Sequence, residues 1–391
     1  MEKLQLHFDQ LLRATSTFFH RYLFHEINWD NRMIGIVGPR GVGKTTLVLQ
    51  HIKEELDRNT SLYVIAEDIY FTTHSLVDMA DEFVRMGGKY LFIDEIHKYN
   101  DWSRELKLIY DYHPDLHVVF TGSSVLDIVE GISDLSRRAI VYHMQGLSFR
   151  EYLKLSNIYE FPVCNLDSIL THEIELPDGF RPLPHFARYL NRGYYPFTVL
   201  IDDYSTLINQ IVNITLENDI PQYANLTIAA ARKFKRLLGI IAQSAPFKPN
   251  FTQIAGQISV SRNQVADMCA LIERSGLISQ LREPTRGIQA LGKIDKIYLD
   301  NTVLVNSLGD PHADAGTIRE TFFFNQVRLK HTICSSRESD FLVDEKYTFE
   351  VGGKSKKQRQ ILGLDNAFVV KDNIETGYAN VIPLWMFGLM Y

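Results

Sequence analysis

Residues 38–45 read Gly-Pro-Arg-Gly-Val-Gly-Lys-Thr, and this stretch decides the fold of the amino-terminal part of the chain. It matches the pattern of Gly, any four residues, Gly-Lys and then Ser or Thr. The apolar run Met33–Val37 precedes it, and Lys44–Asn59 follows with apolar residues close to helical spacing. A strand, a glycine turn and a helix in this order are the context that a phosphate-binding loop requires.

The residue types of this loop suit a nucleotide with a bound metal ion. Glycines let the backbone wrap a phosphate chain, so that N–H groups and the start of the helix point at the anion. Lys44 would add a charge on the β- and γ-phosphates, and the Thr45 hydroxyl would complete a Mg²⁺ shell. The sequence therefore predicts ATP and Mg²⁺ as cofactors, bound by Gly38, Pro39, Arg40, Gly41, Val42, Gly43, Lys44, Thr45 and Thr46.

A second motif, Tyr90-Leu91-Phe92-Ile93-Asp94-Glu95, lies about fifty residues downstream of Lys44. Four apolar residues of a buried strand end there in two carboxylates. Asp94 is predicted to hold Mg²⁺ together with Thr45, and Glu95 to polarise the water that attacks the γ-phosphate. The alternative, two acids in a solvated turn, is disfavoured by the pairing with the phosphate loop.

Two further groups are candidates for catalysis. Ser123 or Ser124, at the tip of the predicted strand His117–Thr121, is placed to contact the γ-phosphate, although Ser124 also suits a helix N-cap. Arg137 or Arg138 would supply a charge to the transition state, in cis or from a neighbouring subunit, as arginine fingers do. Solvated surface arginines remain the alternative.

The pattern along the chain predicts four regions. Residues 1–150 predict an α/β domain of the P-loop NTPase type, with a parallel sheet and a leading helical arm over 1–29. Residues 151–229 are richer in Pro, Gly and Tyr and predict a helical connecting region. Residues 230–300 predict a winged helix-turn-helix, and residues 301–391 predict a small α+β domain. Its strand candidates are Phe341–Val343, Tyr347–Val351, Ala367–Val370 and Val381–Leu384.

Composition sets the broad class of the protein. The 391 residues are 45% hydrophobic and 23% charged, which is ordinary for globular proteins and excludes a disordered chain. The sequence shows neither an apolar run long enough for a membrane helix nor a signal-peptide layout, so a cytoplasmic protein is expected. Three scattered cysteines form no metal motif and predict small core residues.

Charge is unevenly distributed, and the basic part coincides with the helix-turn-helix. The net charge is −6, yet residues 230–300 carry eleven Lys and Arg against five Asp and Glu. Ser261 would cap the second helix, whose first residues Arg262, Asn263 and Gln264 are of the types that read bases or hold phosphates. DNA is therefore a candidate partner, with Arg232, Lys233, Lys235 and Arg236 nearby. A lid or a protein-docking role remains the alternative.

Several motifs together resemble prokaryotic AAA+ ATPases that carry a C-terminal domain of unknown function. The resemblance rests on the phosphate loop and on Leu91–His97, Thr121–Ser124, Leu135–Arg138, Gly146–Tyr152 and Gly193–Pro196. It implies ATP hydrolysis; a homo-oligomer is one candidate assembly, and the oligomeric state stays open. The family usually has Ala-Gly-Arg where this chain has Ser136-Arg137-Arg138, so Arg138 aligns with the family's arginine.

Three acids of the last region resemble the core of a restriction nuclease. Glu320 lies on a predicted helix, Asp340 opens a predicted strand and Glu350 lies on the next strand. Such cores hold Mg²⁺ with the acids and activate water with a lysine two residues after the last acid. Gly352 occupies that position here, so an inactive site is favoured, with Lys354 as a substitute in the active alternative.

The leading hypothesis is an Mg²⁺-dependent AAA+ ATPase that couples its nucleotide state to the winged-helix and nuclease-like region and acts with nucleic acid. One alternative is an ATP-gated switch with slow turnover and a protein partner. Another is a metal-dependent nuclease regulated by ATP.

Overall fold

A computed structural model describes residues 1–122, 135, 137–224, 226, 228–285, 292–309, 314–356 and 361–391. The chain forms two compact units, residues 1–145 and 146–391. The boundaries expected at residues 229 and 300 lie inside the second unit and stay predictions.

The first unit is built on a parallel five-stranded sheet. Its strands lie in the order β2-β3-β4-β1-β5, and each neighbouring pair is parallel. They are β1 Met33–Val37, β2 Ser61–Ile65, β3 Tyr90–Asp94, β4 His117–Gly122 and β5 Ile140–His143. Strands β1, β3 and β4 begin and end within one residue of the predicted apolar runs, and β1 to β4 are almost wholly buried, whereas β5 is largely exposed or half-exposed.

The described helices of this unit are α1 Glu2–Ala14, α2 Leu23–Glu26, α3 Lys44–Glu55, α4 Leu76–Arg85 and α5 Trp102–Tyr112, with 3₁₀ turns at Arg58–Thr60, Ile69–Thr72 and Ile96–Lys98. In α1, Leu4, Phe8 and Leu12 share one buried face, which ties the predicted leading arm to the unit. Helix α3 ends four residues earlier than predicted. The reason is local: Leu56 is extended, and the Asp57 side chain accepts a hydrogen bond from Asn59 N–H and starts a 3₁₀ turn.

In the second unit the described helices begin close to the unit's first residue and run throughout it. They are α6 Phe149–Leu155, α7 Leu166–Leu170, α8 Pro182–Arg192, α9 Pro196–Leu200, α10 Tyr204–Ile214, α11 Ile220–Tyr223, α12 Ile228–Ser244, α13 Phe251–Ile258, α14 Arg262–Arg274, α15 Thr302–Leu308 and α16 Ala315–Val327, with a π-helical turn at Thr215–Asp219 and a 3₁₀ helix at Leu384–Leu389. None of the described helices is long and apolar enough to cross a membrane.

Helices α12–α14 are followed by an antiparallel pair of strands, β6 Ile278–Arg282 and β7 Ile294–Leu299. Helix α13 ends at Ser259 in the left-handed region, which makes the tight turn into α14. A capping box starts α14, since Ser261 accepts from Gln264 N–H and the Gln264 side chain accepts from Ser261 N–H. The predicted inner face of α14, with Val265, Cys269 and Ile272, is buried.

A second five-stranded sheet follows, in the order β12-β11-β10-β9-β8. Strands β8, β9 and β10 are antiparallel neighbours, and β10, β11 and β12 are parallel ones. The strands are β8 Ile333–Ser335, β9 Phe341–Val343, β10 Tyr347–Gly352, β11 Ala367–Lys371 and β12 Val381–Pro383. Of these strands, only β8 was not predicted from the sequence, because Ile333-Cys334-Ser335 lacks the longer apolar run that marks β12 at the other edge.

The core of the second unit draws on both ends of its sequence. Phe161, Phe186 and Tyr189, from the region expected to connect domains, pack in one apolar cluster with Phe322 and Phe349. Aromatic residues of this region therefore build the core of the unit. The cysteines at 164, 269 and 334 are free thiols and are buried, as predicted.

Candidate nucleotide-binding site

The loop between β1 and α3 has a backbone conformation that requires glycine at several positions. Gly41 and Gly43 have positive φ angles of 81° and 100°, which side chains rarely tolerate. At Gly38 a Cβ atom would lie 2.1 Å from the Met144 carbonyl oxygen, so the loop passes too close to the chain after β5 for any larger residue. These positions explain the spacing of the glycines in the motif.

The side chain of Lys44 is buried in the loop that it is predicted to serve. Its ammonium group donates to the carbonyl oxygens of Gly38 at 2.8 Å and Pro39 at 2.9 Å. The ammonium is therefore held inside the curve of the loop, close to the helix N-terminus. A cation and a helix start at one point form a site for an anion.

Sequence reasoning did not find a second cation that supports this loop. The buried side chain of Arg21, which lies between α1 and α2, donates to the Val42 carbonyl oxygen and, at 2.7 Å, to that of Gln145. The guanidinium thus ties the loop to the segment after β5. A single arginine in a polar stretch gives no periodic or motif signal, so the sequence could not reveal this role.

Asp94 is a buried carboxylate on which hydroxyl groups from three elements converge. Its Oδ2 atom accepts from Thr45 Oγ1 and from Tyr63 Oη, each at 2.6 Å. Its Oδ1 atom accepts from Thr121 Oγ1 and, at 3.2 Å, from the backbone N–H of Glu95. Four donors on one carboxylate give Asp94 a fixed orientation toward the loop.

The sheet register explains this convergence. Ile65 pairs with Asp94, and Ile93 pairs with Phe120, so Tyr63, Asp94 and Thr121 point to the same face of neighbouring strands. Burial, reinforced by the Asp94 carboxylate, raises the pKa of Tyr63 well above its usual range. The phenol therefore stays protonated and acts as a donor.

Glu95 lies directly after β3 with a left-handed backbone, φ 53°. One carboxylate oxygen is 3.4 Å from His97 Nε2 and 4.0 Å from the Arg40 guanidinium, which belongs to the phosphate loop. The side chain is about one fifth exposed. The acid predicted to activate water thus lies beside the loop and remains accessible to solvent.

The residues present fit a Mg²⁺–nucleotide. Thr45 and Asp94 offer two hard oxygen donors 2.6 Å apart, which is the donor chemistry that Mg²⁺ takes beside phosphate. The loop supplies a cation, glycine backbone and a helix start for the phosphates. Thr46, the last predicted nucleotide residue, is exposed on the first turn of α3.

Of the remaining catalytic candidates of the first unit, the structure describes Arg138, which lies away from this site. Ser123 and Ser124 lie outside the described residues. Arg138 precedes β5, and its guanidinium makes two 3.0 Å hydrogen bonds to the Asp111 carboxylate. The Tyr110 ring lies 5.8 Å from the Arg138 guanidinium. The same ring also stacks with Arg32, the residue before β1, at 3.6 Å.

The position of Arg138 bears on how it could act. Strands β1 and β5 are parallel, so Arg138 lies at the amino-terminal edge of the sheet while the phosphate loop lies at the carboxyl-terminal edge. The five residues of β1 separate these edges by about 17 Å. That span exceeds the reach of an arginine side chain. In this arrangement Arg138 therefore does not reach the phosphates of a nucleotide bound in the loop of the same chain.

In the helix-turn-helix region, several lysines already have partners. Lys235 pairs with Glu217, and Lys233 donates to the Ser259 carbonyl oxygen at 3.3 Å. Lys248 pairs with Asp295 and Lys293 with Glu283, at 3.0 and 3.5 Å. The predicted base-reading residues Arg262, Asn263 and Gln264 are exposed, as are Arg232 and Arg236, but the Gln264 side chain closes the capping box.

The three acids of the last region come together around two lysines. Lys296 Nζ lies 3.0 Å from Glu320 and 3.8 Å from Asp340. Lys356 Nζ lies 2.6 Å from the buried Glu350. Burial and the neighbouring Glu320 and Glu350 raise the pKa of Asp340 to about 6.

Lys356 takes the place that the sequence analysis gave to Lys354. A Cβ at Gly352 would lie 2.6 Å from the Lys356 side chain, so the glycine leaves the room through which Lys356 reaches Glu350. Within the described ranges, no group of three or more His, Cys, Asp or Glu side chains is arranged to hold a metal ion. The second metal site at Glu320, Asp340 and Glu350 stays a prediction.

Comparison with known protein families supports the predicted fold of the first unit. Residues 30–153 match the family model of the AAA domain, and residues 183–314 match a domain of unknown function, DUF8612. No curated protein sequence matches the chain. The part of the chain that holds the phosphate loop is therefore an AAA domain with a P-loop ATPase fold, as predicted.

Two solved structures resemble the chain at 15% identity. One is C. elegans PCH-2, with a TM-score of 0.28 over 70% of this chain and 66% of that chain. The other is a katanin structure described as "Structural Basis for Katanin Self-Assembly", with a TM-score of 0.30 over 68% of this chain and 80% of that chain. The chain spans just under two thirds of the PCH-2 chain.

Replacing Lys44 by alanine is expected to weaken ATP binding on the order of 100-fold or more, because the phosphates lose a charged hydrogen-bond donor inside the loop. Equilibrium binding of a fluorescent ATP analogue measures this. Lys53→Ala is the matched control, since Lys53 lies on the same helix and its ammonium donates to the Thr15 carbonyl oxygen rather than to the loop. Equal affinity of Lys44→Ala and wild type would contradict the loop assignment.

Proposed function

We propose that the protein binds ATP with Mg²⁺ and hydrolyses it, and that turnover in the AAA domain drives a change in the second unit. The single observation that carries the proposal is the Thr45–Asp94 hydrogen bond of 2.6 Å, which joins the phosphate loop to the acidic end of β3. Lys44 supplies the charge for the phosphates on one side of this pair. Glu95 supplies a base on the other.

In this proposal Mg²⁺, when bound, neutralises charge on the β- and γ-phosphates. Thr45 and Asp94 are the residues that would hold it. The loop backbone and Lys44 bind and orient the phosphates, and the Glu95 carboxylate accepts the proton of the attacking water. Glu95 is already hydrogen-bonded through its N–H to Asp94 and Thr121, which fixes its position relative to the metal ligands.

The alternative is a switch protein that holds ATP, turns it over slowly and exposes a surface to a protein partner. An ATPase and a switch share the loop, but only the ATPase needs a base beside the γ-phosphate. The Glu95 carboxylate, directly after β3 and partly accessible to solvent, favours the ATPase.

Glu95→Gln is expected to keep ATP affinity within about threefold of wild type and to lower steady-state turnover about 100-fold or more, because general base catalysis contributes on the order of 10²–10⁴. Phosphate release with excess Mg²⁺-ATP measures turnover. Glu67→Gln, at the exposed end of β2, is the matched control. Turnover at the wild-type rate in Glu95→Gln would remove Glu95 from the reaction and favour the switch.

We also propose that Arg138 acts in trans, within a homo-oligomer. Its place at the amino-terminal edge of the sheet, away from the loop of its own chain, supports this. In the described structure Arg138 is paired with Asp111, so it would exchange this partner for the phosphates of a neighbouring subunit.

Arg138→Ala is expected to bind ATP normally and to lose turnover on the order of 10³-fold, as removal of an arginine finger does. Mixing it with Lys44→Ala should restore part of the activity, since each variant supplies what the other lacks. Asp111→Asn, which breaks the ion pair but keeps the arginine, should retain activity. A mixture as inactive as its components would exclude action in trans.

DNA is proposed as a partner of the region 230–300, whose three helices and strand pair follow the element order of a winged helix. The proposal now rests on the exposed Arg232, Arg236 and Arg262. Within the described part of the chain, these guanidiniums have no carboxylate partner, unlike Lys248 or Lys293.

Replacing Arg232 and Arg262 by alanine is expected to weaken DNA binding and to lower the slope of log affinity against log salt by about 2, because each phosphate contact contributes about 0.9. Fluorescence anisotropy with labelled duplex DNA measures both quantities. Lys293→Ala removes one charge that is already paired with Glu283 and is the control. An unchanged slope would exclude these arginines from DNA contact and point to a protein partner.

A further inference from the structure

Tyr63 is a buried polar residue that the phosphate-loop motifs do not include. It lies in the middle of β2, and only 3% of its surface is exposed. A tyrosine at such a place must find a partner for its hydroxyl group, since an unpaired buried hydroxyl is costly. It finds that partner in Asp94, at 2.6 Å.

The contact matters because of what else Asp94 binds. The Oδ2 atom that accepts from Tyr63 also accepts from Thr45, whose hydroxyl oxygen is the predicted metal ligand. Thr45 would bind a cation through a lone pair of its hydroxyl oxygen and can keep its hydrogen on Asp94, and the donations from Tyr63 and Thr121 do not depend on that change. These two hydroxyls then hold the carboxylate in place.

We propose that Tyr63 is a positioning residue for the metal site, acting with Thr121 to clamp the Asp94 carboxylate in the orientation that serves Mg²⁺. This inference rests on the proposed function, because it assumes that Mg²⁺ enters with the nucleotide. Groups that orient metal ligands in this way typically change metal affinity or activity by about 10–100-fold when they are removed.

Packing alone does not account for the phenol group. Phenylalanine at position 63 would fill the space of the tyrosine ring. Phe92 on β3 and Phe120 on β4 show that this sheet buries phenylalanine side chains. The hydroxyl adds one hydrogen bond to a charged, buried acceptor that must otherwise be held by fewer donors. Tyr63→Phe therefore removes the proposed role and keeps the ring.

The test compares wild type, Tyr63→Phe and Tyr99→Phe in nucleotide binding and in Mg²⁺ titration. Tyr99 also donates its hydroxyl to a carboxylate, Glu105 at 2.9 Å, which makes Tyr99→Phe a matched control. Binding of a fluorescent ATP analogue is measured in EDTA and over a range of Mg²⁺ concentrations, and the melting temperature reports on folding. These readouts do not depend on turnover.

We expect Tyr63→Phe to bind the analogue in EDTA within about twofold of wild type and to need about tenfold more Mg²⁺ for half-maximal enhancement of binding. Thr121→Val should shift the Mg²⁺ midpoint in the same direction. Tyr99→Phe should match wild type in both measurements.

Three outcomes would overturn the proposal. An unchanged Mg²⁺ midpoint in both Tyr63→Phe and Thr121→Val would refute the clamp while leaving the proposed function intact. Equal losses with and without Mg²⁺ would make Tyr63 a purely structural residue. A wild-type protein whose analogue binding ignores Mg²⁺ would refute the clamp and the proposed Mg²⁺-ATP site together.

Discussion

The buried carboxylate of Asp94 is the constraint on which the site depends. A charged group that is 3% exposed must be compensated by hydrogen bonds, and here every donor comes from a different element. Tyr63 belongs to β2, Thr121 to β4 and Thr45 to the helix that follows β1. Removing the carboxylate would leave three hydroxyls without this acceptor, while keeping it fixes the ends of neighbouring strands relative to the loop. The same hydrogen bonds that satisfy a buried acid therefore hold the proposed metal ligand beside the proposed phosphate loop.

The first unit could be predicted closely from its sequence, for a physical reason. Parallel strands buried on both faces are continuous apolar runs, so β1 to β4 could be read directly, and glycine spacing located the loop. The Lys44, Thr45 and Asp94 assignments depended on motif residues alone. Tyr63 and Arg21 could not be found in this way. Their roles arise from register and from a long-range contact, respectively, and neither leaves a pattern along the chain.

In the second unit, sequence patterns did not predict the packing and the ion pairs. The pattern of residues 151–229 suggested a connection, yet Phe161 and Tyr189 contribute to the main core, since aromatic residues at irregular spacing pack only after the chain has folded. Net charge was also a poor guide to unpaired charge. Lys235, Lys248 and Lys293 are paired with acids, which leaves a smaller set of basic side chains without a carboxylate partner among the described residues. In the acidic cluster, Gly352 looked like the loss of a functional lysine. The structure shows Lys356 reaching the same carboxylate through the space that the glycine leaves.

A crystal structure of the protein with Mg²⁺ and a non-hydrolysable ATP analogue is the decisive experiment for the Asp94 site. We expect the triphosphate in the loop at Gly38–Thr45, with Lys44 on its β- and γ-phosphates. We also expect Mg²⁺ beside Thr45 and Asp94, and Tyr63 still bonded to the Asp94 carboxylate. Analogue bound elsewhere, or Mg²⁺ bound away from Thr45 and Asp94, would refute the proposed Mg²⁺-ATP site.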